Sequence, residues 1–382
     1  MKIQCINDEV PIFNNIKLKQ IDKLNIINSE YAKKLRISKE KIDNNEDEWD
    51  KSKKLVNPYE LIHSSNIKEK KEKSISKYNP LSRSFFKLTE IIHKYKLFKN
   101  TNEPITMAGV AEGPGGFMEA FYMYRRFYNK YNDIIKGITL NPSNKYIPNW
   151  VKINERFKNI ETHYGDIYLK NSVDNFSSEF KNKVDFVTAD GGFDYSVDFN
   201  NQEMDSAKII FAEMLMAFNI QKKGGVFVIK VFDLFNPITI KILYMIYRYY
   251  DEFNIYKPKT SRPANSEKYI IASGFKGIEK EKLEELQNCL YNWGDNKVHY
   301  DFDGICITDE FYKNISQYNI GFVNNQIKYI EETLHYINNK LCREEYNNII
   351  SNQVNNAVNW VRTHNLEINK KSRFYNRFNN RF

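Results

Sequence analysis

Between Ser82 and Phe275 the chain alternates short apolar runs with stretches whose apolar residues recur at helical spacing. This alternation is typical of βαβ units, which build a largely parallel sheet with helices on both faces. The sequence therefore predicts an α/β core domain with a doubly wound sheet. The predicted strands are Ile105–Ala111, Ile134–Leu140, Glu161–Tyr164, Val184–Ala189, Val226–Val231, Phe253–Tyr256 and Lys268–Ser273, and the helices between them are Phe117–Tyr128, Glu203–Gln221 and Pro237–Tyr250.

The regions on either side of this core differ in composition. Residues 1–80 are polar and lysine-rich, with helical periodicity around Ile21–Leu35 and a mixed-charge run, Lys68–Lys73, typical of a solvated face. Beyond Lys276 the pattern is helical, and the predicted helices are Lys280–Trp293, Ile327–Asn339 and Glu344–Trp360. We therefore divide the chain into an N-terminal helical segment (1–80), the core domain (81–276) and a mainly helical C-terminal extension (277–382).

The end of the extension, Arg362–Phe382, interleaves basic and aromatic side chains. Such a tail suits phosphate contacts and base stacking, and it is equally typical of a frayed terminus. The whole chain has 57 Lys and Arg against 48 Asp and Glu, a net charge of +9 that favours a polyanionic partner, with nucleic acid first.

Several classes of protein are excluded. Charged residues such as Glu213 and Lys241 interrupt the apolar stretches, so no run reaches the ~18–20 residues of a membrane span. The N-terminus lacks the apolar core and cleavage site of a secretory signal. The four cysteines, Cys5, Cys289, Cys306 and Cys342, show no C-x-x-C spacing. We expect an intracellular protein, in cytoplasm or nucleus, that has no membrane contact and binds no metal.

The string Ala111–Phe117, Ala-Glu-Gly-Pro-Gly-Gly-Phe, lies after an apolar strand and before a helix. Glycines there let a ligand approach the backbone, and the helix N-terminus offers free N–H groups. The string indicates either a nucleotide-like ligand or tight packing. It is not G-x-G-x-x-G, and Gly137–Asn141 lacks the acidic residue that grips the ribose of a dinucleotide, which counts against a nicotinamide oxidoreductase.

Four ionisable residues, Lys87, Asp190, Lys230 and Glu267, lie at or near the ends of predicted elements, where open α/β sheets place their sites. Lys230 is the most unusual, because a lysine that ends an apolar strand loses solvation unless it is partnered or reaches the surface. Each of these residues alone has a structural explanation, but four on one sheet favour a functional site.

These strings resemble the FtsJ-type ribose 2′-O-methyltransferases, S-adenosylmethionine enzymes with a Rossmann-like sheet and a Lys-Asp-Lys-Glu tetrad. The closer similarity is to the cap-specific mRNA 2′-O-methyltransferases of eukaryotes and viruses. It covers Asn57 to Gly274, and the matching strings are Asn57–Glu60, Gly137–Leu140, Gly165–Ile167, Ala189–Phe193, Lys230–Phe235 and Lys257–Glu267. The Asn, Ile, Lys and Tyr bias of an AT-rich genome would suit a large DNA virus or a protist. If the protein is viral, we expect it in the virion or a viral factory.

The resemblance implies roles for particular residues. The catalytic tetrad would be Lys87, Asp190, Lys230 and Glu267. The methyl donor would be bound by Ser82, Glu112, Gly113, Pro114, Gly115, Gly116, Phe117, Thr139, Leu140 and Asp166, with Asp166 near the adenine. Capped RNA would be held by Lys53, Asn200, Asn201, Gln202 and Asn265. Many relatives have a small residue where this chain has Glu112, whose carboxylate could meet the donor's amino group or crowd the turn.

The resemblance implies methylation of the ribose 2′-hydroxyl of the first transcribed nucleotide of capped mRNA. Trp49, Tyr59 and the lysines around Lys53 would help to recognise the cap. Alternatives are a ribosomal or transfer RNA 2′-O-methyltransferase and a catalytically silent RNA-binding subunit that stimulates a partner. Partners would be the capped mRNA 5′ end, other capping enzymes or RNA polymerase. Lys230 would face the 2′-hydroxyl, either as a neutral base or as a cation that stabilises the developing alkoxide.

Overall fold

The computed structural model describes residues 2–4, 13, 15–64, 73–98, 102–128, 130, 132–142, 148–192, 201–294, 298–339 and 341–378. They fall into two compact units. The first, here called the sheet unit, is drawn from Met1–Ser29, Asn100–Lys257 and Glu267–Gly321. The second, the helical unit, is drawn from Glu30–Lys99, Pro258–Ser266 and Phe322–Phe382. The division at residues 80 and 276 stays a prediction.

The strands belong to the sheet unit. In chain order they are β1 Lys2–Gln4, β2 Lys17–Gln20, β3 Thr106–Val110, β4 Ile134–Thr139, β5 Ile160–Tyr164, β6 Val184–Ala189, β7 Gln221–Val231, β8 Tyr250–Tyr256, β9 Lys268–Phe275 and β10 Tyr300–Asp303. Eight of them form one sheet in the order β1-β8-β9-β7-β6-β3-β4-β5, and β10 pairs with β2 in a small antiparallel sheet.

The helices are distributed over both units. In chain order they are α1 Ser29–Asp43, α2 Glu46–Ser52, α3 Ser84–Tyr95, α4 Gly116–Phe127, α5 Val151–Arg156, α6 Lys170–Phe180, α7 Gln202–Ile220, α8 Pro237–Tyr249, α9 Lys280–Tyr291, α10 Asp309–Asn338, α11 Arg343–Thr363 and α12 Arg373–Phe378, with a 3₁₀ turn at Glu60–Ile62. Helices α4 to α9 belong to the sheet unit, and α10 contributes residues to both units.

The strand order determines where a site can form. Strands β5, β4, β3, β6 and β7 are parallel, and β9 enters antiparallel between β7 and β8. The chain runs outward from β3 to β4 and β5, then returns to the other side of β3 to add β6 and β7. Open α/β sheets bind ligands at such a reversal, outside the carboxyl ends of the strands. Here that edge carries the loops after β3, β4, β5, β6 and β7.

The predicted α/β sheet is confirmed. The differences lie at element ends and in elements that the sequence analysis did not predict, among them strands β1, β2 and β10 and helices α3, α5 and α6. Strand β7 begins at Gln221 instead of Val226, because it runs through Gly224 and Gly225, residues that weaken a strand pattern. The N-terminal helix begins at Ser29 instead of Ile21, because Asn28 has a left-handed backbone (φ 50°) that interrupts a helix.

Helix α10 begins well before the predicted Ile327. Its buried stripe includes two polar residues, Asn319 and Gln326, between Phe311, Ile315, Val323 and Ile330, so the apolar periodicity alone could not reveal it. Within the described residues, no helix is long and apolar enough to span a membrane.

Candidate active site

The centre of the candidate site is the turn that follows β6. Asp190 and Gly191 form this turn, and Lys230 lies on the neighbouring strand β7. The Lys230 ammonium donates a hydrogen bond to the Asp190 carbonyl oxygen at 2.8 Å, and its Nζ lies 3.2 Å from Asp190 Oδ1. Both side chains are mostly buried, with 12% and 15% of their surface exposed. The lysine is therefore partnered, as a cation at the end of an apolar strand requires.

Strand β9 contributes the other side of this cluster. Tyr269 is the register partner of Lys230, and its hydroxyl donates a hydrogen bond to Asp190 Oδ1 at 3.0 Å. Glu267 immediately precedes β9 and is half-buried, and its carbonyl oxygen accepts a hydrogen bond from Lys257 Nζ at 2.8 Å. Asp190 thus receives hydrogen bonds from two strands.

The charges around Lys230 determine its protonation. Burial by itself lowers the pKa of Lys230, but the negative charges of Asp190, Glu267 and Glu213 outweigh burial and raise the pKa above its ordinary value. Lys230 is therefore an ammonium ion at neutral pH in this structure.

Glu213, on α7, is a member of this cluster that the sequence analysis did not identify. Its side chain is completely buried, and Oε1 accepts a hydrogen bond from the Gly191 N–H at 2.8 Å. In the sequence it is the one acidic residue within the apolar run Ile209–Ile220, and no motif marks it.

The loop after β3 and the start of α4 contain the predicted donor residues Glu112, Gly113, Pro114, Gly115, Gly116 and Phe117. Gly115 has a left-handed backbone (φ 96°) at the N-terminus of α4, and Phe117 is buried against the Tyr269 ring. The loop borders the Asp190 turn, since Val110 pairs with Ala189 in the sheet.

The Glu112 carboxylate points into the protein. It accepts hydrogen bonds from the Thr188 hydroxyl at 2.7 Å and the Met118 N–H at 3.0 Å, and only 3% of the residue is exposed. Burial raises the pKa of Glu112 well above its usual range, although these two hydrogen bonds oppose the shift. The Glu112 side chain therefore faces the protein interior and connects its loop to Thr188 on β6 and Met118 on α4.

The carboxyl ends of β4 and β5 carry the remaining predicted donor residues of the sheet unit. Thr139 is buried and pairs with Tyr164, and Leu140 follows with 53% of its surface exposed. Asp166 lies just beyond β5 and accepts a hydrogen bond from the Tyr168 N–H at 2.8 Å. An exposed apolar side chain and a carboxylate therefore lie on adjacent strand ends.

The other predicted contacts are spread over both units. Asn201 is exposed and Gln202 begins α7 in the sheet unit. In the helical unit, Lys87 lies on α3, the Ser82 hydroxyl is 2.5 Å from that of Ser84, Lys53 forms an ion pair with Asp50, and Asn265 is exposed. Asn200 lies outside the described residues.

Two aromatic residues suggested for cap recognition differ in exposure. Trp49 is buried on α2, which is typical of a packing residue. Tyr59 is half-buried, and Lys259 Nζ lies 5.9 Å from the centre of its ring. In the basic tail, Arg373 and Arg377 lie over the rings of Phe374 and Phe378.

Two buried glutamates, Glu60 and Glu90, hold the segment Pro258–Ser266 within the helical unit. Glu60 forms a two-point ion pair with Arg262, at 3.1 and 3.2 Å. Burial alone would raise the pKa of Glu60, but the Arg83 and Arg262 guanidinium groups outweigh it and hold the pKa below its usual value. Glu90 accepts hydrogen bonds from the backbone of Lys259 and Thr260. The Glu60–Arg262 ion pair links the matching strings Asn57–Glu60 and Lys257–Glu267.

Comparisons with known proteins agree with this geometry. The chain is 27% identical over 268 residues to cap-specific mRNA (nucleoside-2′-O-)-methyltransferase 1 of Xenopus laevis, and 30% identical over 256 residues to the corresponding methyltransferase 1A of Caenorhabditis briggsae. These matches cover 62% and 61% of this chain but only 28% of each relative. The methyltransferase 1 of Trypanosoma cruzi is 29% identical, with 58% of this chain and 63% of the relative covered.

The matched part of the chain thus spans under a third of the length of the first two relatives. The FtsJ-like methyltransferase family matches residues 80–275, just over half of the chain. That range contains the Asp190 turn, Lys230, Glu267 and the loop after β3. The chain therefore belongs to the FtsJ-like methyltransferase family, as the sequence motifs predicted.

Proposed function

We propose that this protein transfers a methyl group from S-adenosylmethionine to the ribose 2′-hydroxyl of the first transcribed nucleotide of capped mRNA. The observation that carries the proposal is the Lys230 ammonium, held by Asp190 at the carboxyl edge of a sheet of this family. The names of the relatives, which are cap-specific mRNA methyltransferases, support the choice of substrate.

The carboxyl edge of the sheet fits the methyl donor. The donor supplies a methyl group on a sulfonium, attached to an adenosine and an amino acid. Leu140 offers an exposed apolar surface to an adenine, and Asp166 offers a carboxylate beside it. The N-terminus of α4 offers backbone N–H groups and a positive dipole end, which suit a carboxylate.

Lys230 would position and polarise the 2′-oxygen. A lysine ammonium has three N–H donors. Among the described residues, the hydrogen bonds of the Lys230 ammonium go to Asp190. This arrangement leaves a donor for the 2′-oxygen. Much of the rate can come from placing that oxygen in line with the methyl group. The raised pKa of Lys230 supports the cationic role, in which the ammonium stabilises negative charge developing on the oxygen.

The other predicted residues complete the proposal. Asp190 and Glu267 would hold Lys230 charged, and Lys87 would be the fourth member of the tetrad. Capped RNA would be held by Lys53, Asn200, Asn201, Gln202 and Asn265. The resemblance to the family is the basis for assigning them this role.

The function is tested with labelled S-adenosylmethionine and short RNAs that carry an N7-methylated cap, an unmethylated cap or a bare triphosphate. We expect label on the 2′-oxygen of the first nucleotide of capped RNA. Equal label on uncapped RNA or at internal positions would instead indicate a general RNA ribose methyltransferase. Donor binding without transfer to any RNA would indicate a silent RNA-binding subunit.

Gly115→Ala is expected to weaken donor binding. Alanine at φ 96° is strained by about 1–3 kcal/mol, and its Cβ would collide with Ile153 Cδ1. We therefore expect the Kd for S-adenosylmethionine to rise about tenfold or more, measured by isothermal titration calorimetry.

The matched control for this variant is Gly224→Ala. Gly224 also has a positive φ (82°), but an added Cβ meets no atom of the described residues within 4 Å. It lies near the start of β7, opposite the end that carries Lys230. Its donor affinity should stay within about twofold of the wild type; an equal loss in both variants would contradict a specific role for the Gly115 turn.

A further inference from the structure

Glu213 is a buried acid in a place where the protein core does not require one. It lies in the middle of α7 with no exposed surface, next to the buried residues Ala212 and Met214. Burying a carboxyl group is unfavourable unless its oxygens find partners. An apolar residue would fill this position without that cost, so its contacts require an explanation.

One oxygen of Glu213 is fixed against the Asp190 turn. Oε1 accepts the Gly191 N–H at 2.8 Å, and any side chain at position 191 would collide with that oxygen. The peptide that Glu213 holds adjoins Asp190, whose carbonyl and carboxylate both contact the Lys230 ammonium. Glu213 and Lys230 therefore bind the two ends of one peptide group: Glu213 accepts the Gly191 N–H, and Lys230 donates to the Asp190 carbonyl oxygen.

The other oxygen has no such partner. Oε2 is buried, and the structure gives it no hydrogen bond among the described residues. Leaving a buried polar atom unsatisfied costs about 1–3 kcal/mol. The contacts of the Glu213 carboxyl group therefore offset only part of the free-energy cost of burying it.

Several ionisable groups surround Glu213. Lys230 on β7, Asp190 after β6 and Glu112 after β3 interact with its charge, and Glu267 and Tyr269 act on the same cluster from β9. Burial raises the pKa of Glu213 to about 8; Lys230 and the Gly191 N–H oppose this rise, and Asp190 adds to it. Glu213 is therefore mainly protonated at pH 7 and becomes an anion as the pH rises through about 8.

We propose that Glu213 is a positioning residue for Lys230: it fixes the Asp190–Gly191 turn that holds the ammonium, and its own negative charge adds to the field of the carboxylates around Lys230. The inference rests on the proposed function, since it assigns Lys230 to methyl transfer. It goes further by placing the control of Lys230 in a helix that carries none of the predicted site residues beyond its first turn.

The test compares Glu213→Gln with Glu213→Leu in profiles of kcat against pH from 6.5 to 9.5, with saturating donor and capped RNA. Glutamine keeps an oxygen that can accept the Gly191 N–H but cannot ionise. We expect the wild-type rate to rise through about pH 8, because an ionised Glu213 accepts the Gly191 N–H in a stronger, charge-assisted hydrogen bond and fixes the turn more firmly. This inflection should disappear in Glu213→Gln. Leucine removes the acceptor, and kcat should fall about tenfold or more while the KM for the donor stays unchanged.

Glu203→Gln is the matched control. Glu203 lies on the same helix, is also buried with its pKa raised to about 8 by burial, and accepts the backbone N–H groups of Phe235 and Asn236. The quantity compared is the inflection in kcat near pH 8, not the absolute rate. Glu203→Gln should keep this inflection. A Glu213→Gln profile that overlays the wild type would overturn the inference.

A second measurement does not depend on activity. The Lys230 Nζ resonance, assigned with Lys230→Arg, is followed by NMR as the pH is raised. The Lys230 pKa should fall by about half a unit or more in Glu213→Gln and stay unchanged in Glu203→Gln. An unchanged Lys230 pKa in Glu213→Gln would contradict the electrostatic role. If the wild type methylates no RNA, the proposed function fails, and the titration still decides whether Glu213 controls Lys230.

Discussion

Lys230→Ala is expected to lower the rate of methyl transfer about 10³-fold or more while the affinity for S-adenosylmethionine stays within about twofold. A positioned proton-transfer group or a preorganised donor contributes roughly 10²–10⁴-fold to a rate. The variant removes the ammonium that Asp190 holds. It leaves the loop after β3 and the ends of β4 and β5 intact, so the proposed donor contacts remain. Single-turnover kinetics and calorimetry measure the two quantities separately.

Two further variants show whether the effect belongs to Lys230. Lys230→Arg should also fail, because a planar guanidinium differs from an ammonium in shape and in the directions of its N–H donors. Lys222→Ala is the control: Lys222 lies on the same strand, forms an ion pair with Asp185, and is half-exposed. Its activity should match the wild type. Loss of donor binding together with activity in Lys230→Ala would contradict the proposed division of roles.

The pH dependence separates the two roles open to Lys230. A neutral base would be active only after deprotonation, so the rate would climb until the pH passed the pKa of Lys230. The surrounding carboxylates hold that pKa above its ordinary value, so a cation stays in its active form throughout pH 7 to 9. We therefore expect a rate that does not climb about tenfold per pH unit across that range. Such a climb would instead favour the base.

The sequence predicted the centre of the sheet well because strands such as β3, β6 and β9 are buried on both faces and form nearly continuous apolar runs. Strands β1, β2 and β10 are only three or four residues long, too short for a pattern to emerge. Asp190 and Lys230 were identifiable because a polar residue at the end of a buried strand contrasts with its neighbours.

The supporting residues of the site could not be predicted in this way. Glu213 and Glu112 act from inside the core, and their partners, Gly191 and Thr188, lie 22 and 76 residues away in the chain. For Glu112 the sequence left open whether it meets the donor or crowds the turn. Its inward contacts could be seen only once β3 and β6 were paired. Such contacts depend on tertiary structure, and local sequence patterns carry no information about it.

Glu90→Ala is expected to destabilise the helical unit by about 3 kcal/mol. Glu90 is 4% exposed; its Oε1 accepts the Lys259 N–H at 2.8 Å, and its Oε2 accepts the Thr260 N–H, the Thr260 hydroxyl and Trp360 Nε1–H at 3.2–3.3 Å. Alanine leaves these donors buried without an acceptor. A fall in Tm of roughly 5–10 °C should follow, measured by differential scanning calorimetry.

The controls for Glu90 separate the lost acceptor from lost charge. Glu331→Ala removes an exposed glutamate from α10, within the helical unit, and should change stability by less than about 0.5 kcal/mol. Glu90→Gln should be intermediate, because its amide oxygen can still accept one N–H while its NH₂ faces the remaining donors. Limited proteolysis should cut Pro258–Ser266 faster in Glu90→Ala than in the wild type, since the two backbone hydrogen bonds from that segment to Glu90 are lost. A Tm of Glu90→Ala equal to that of the wild type would contradict the role of these hydrogen bonds in holding Pro258–Ser266.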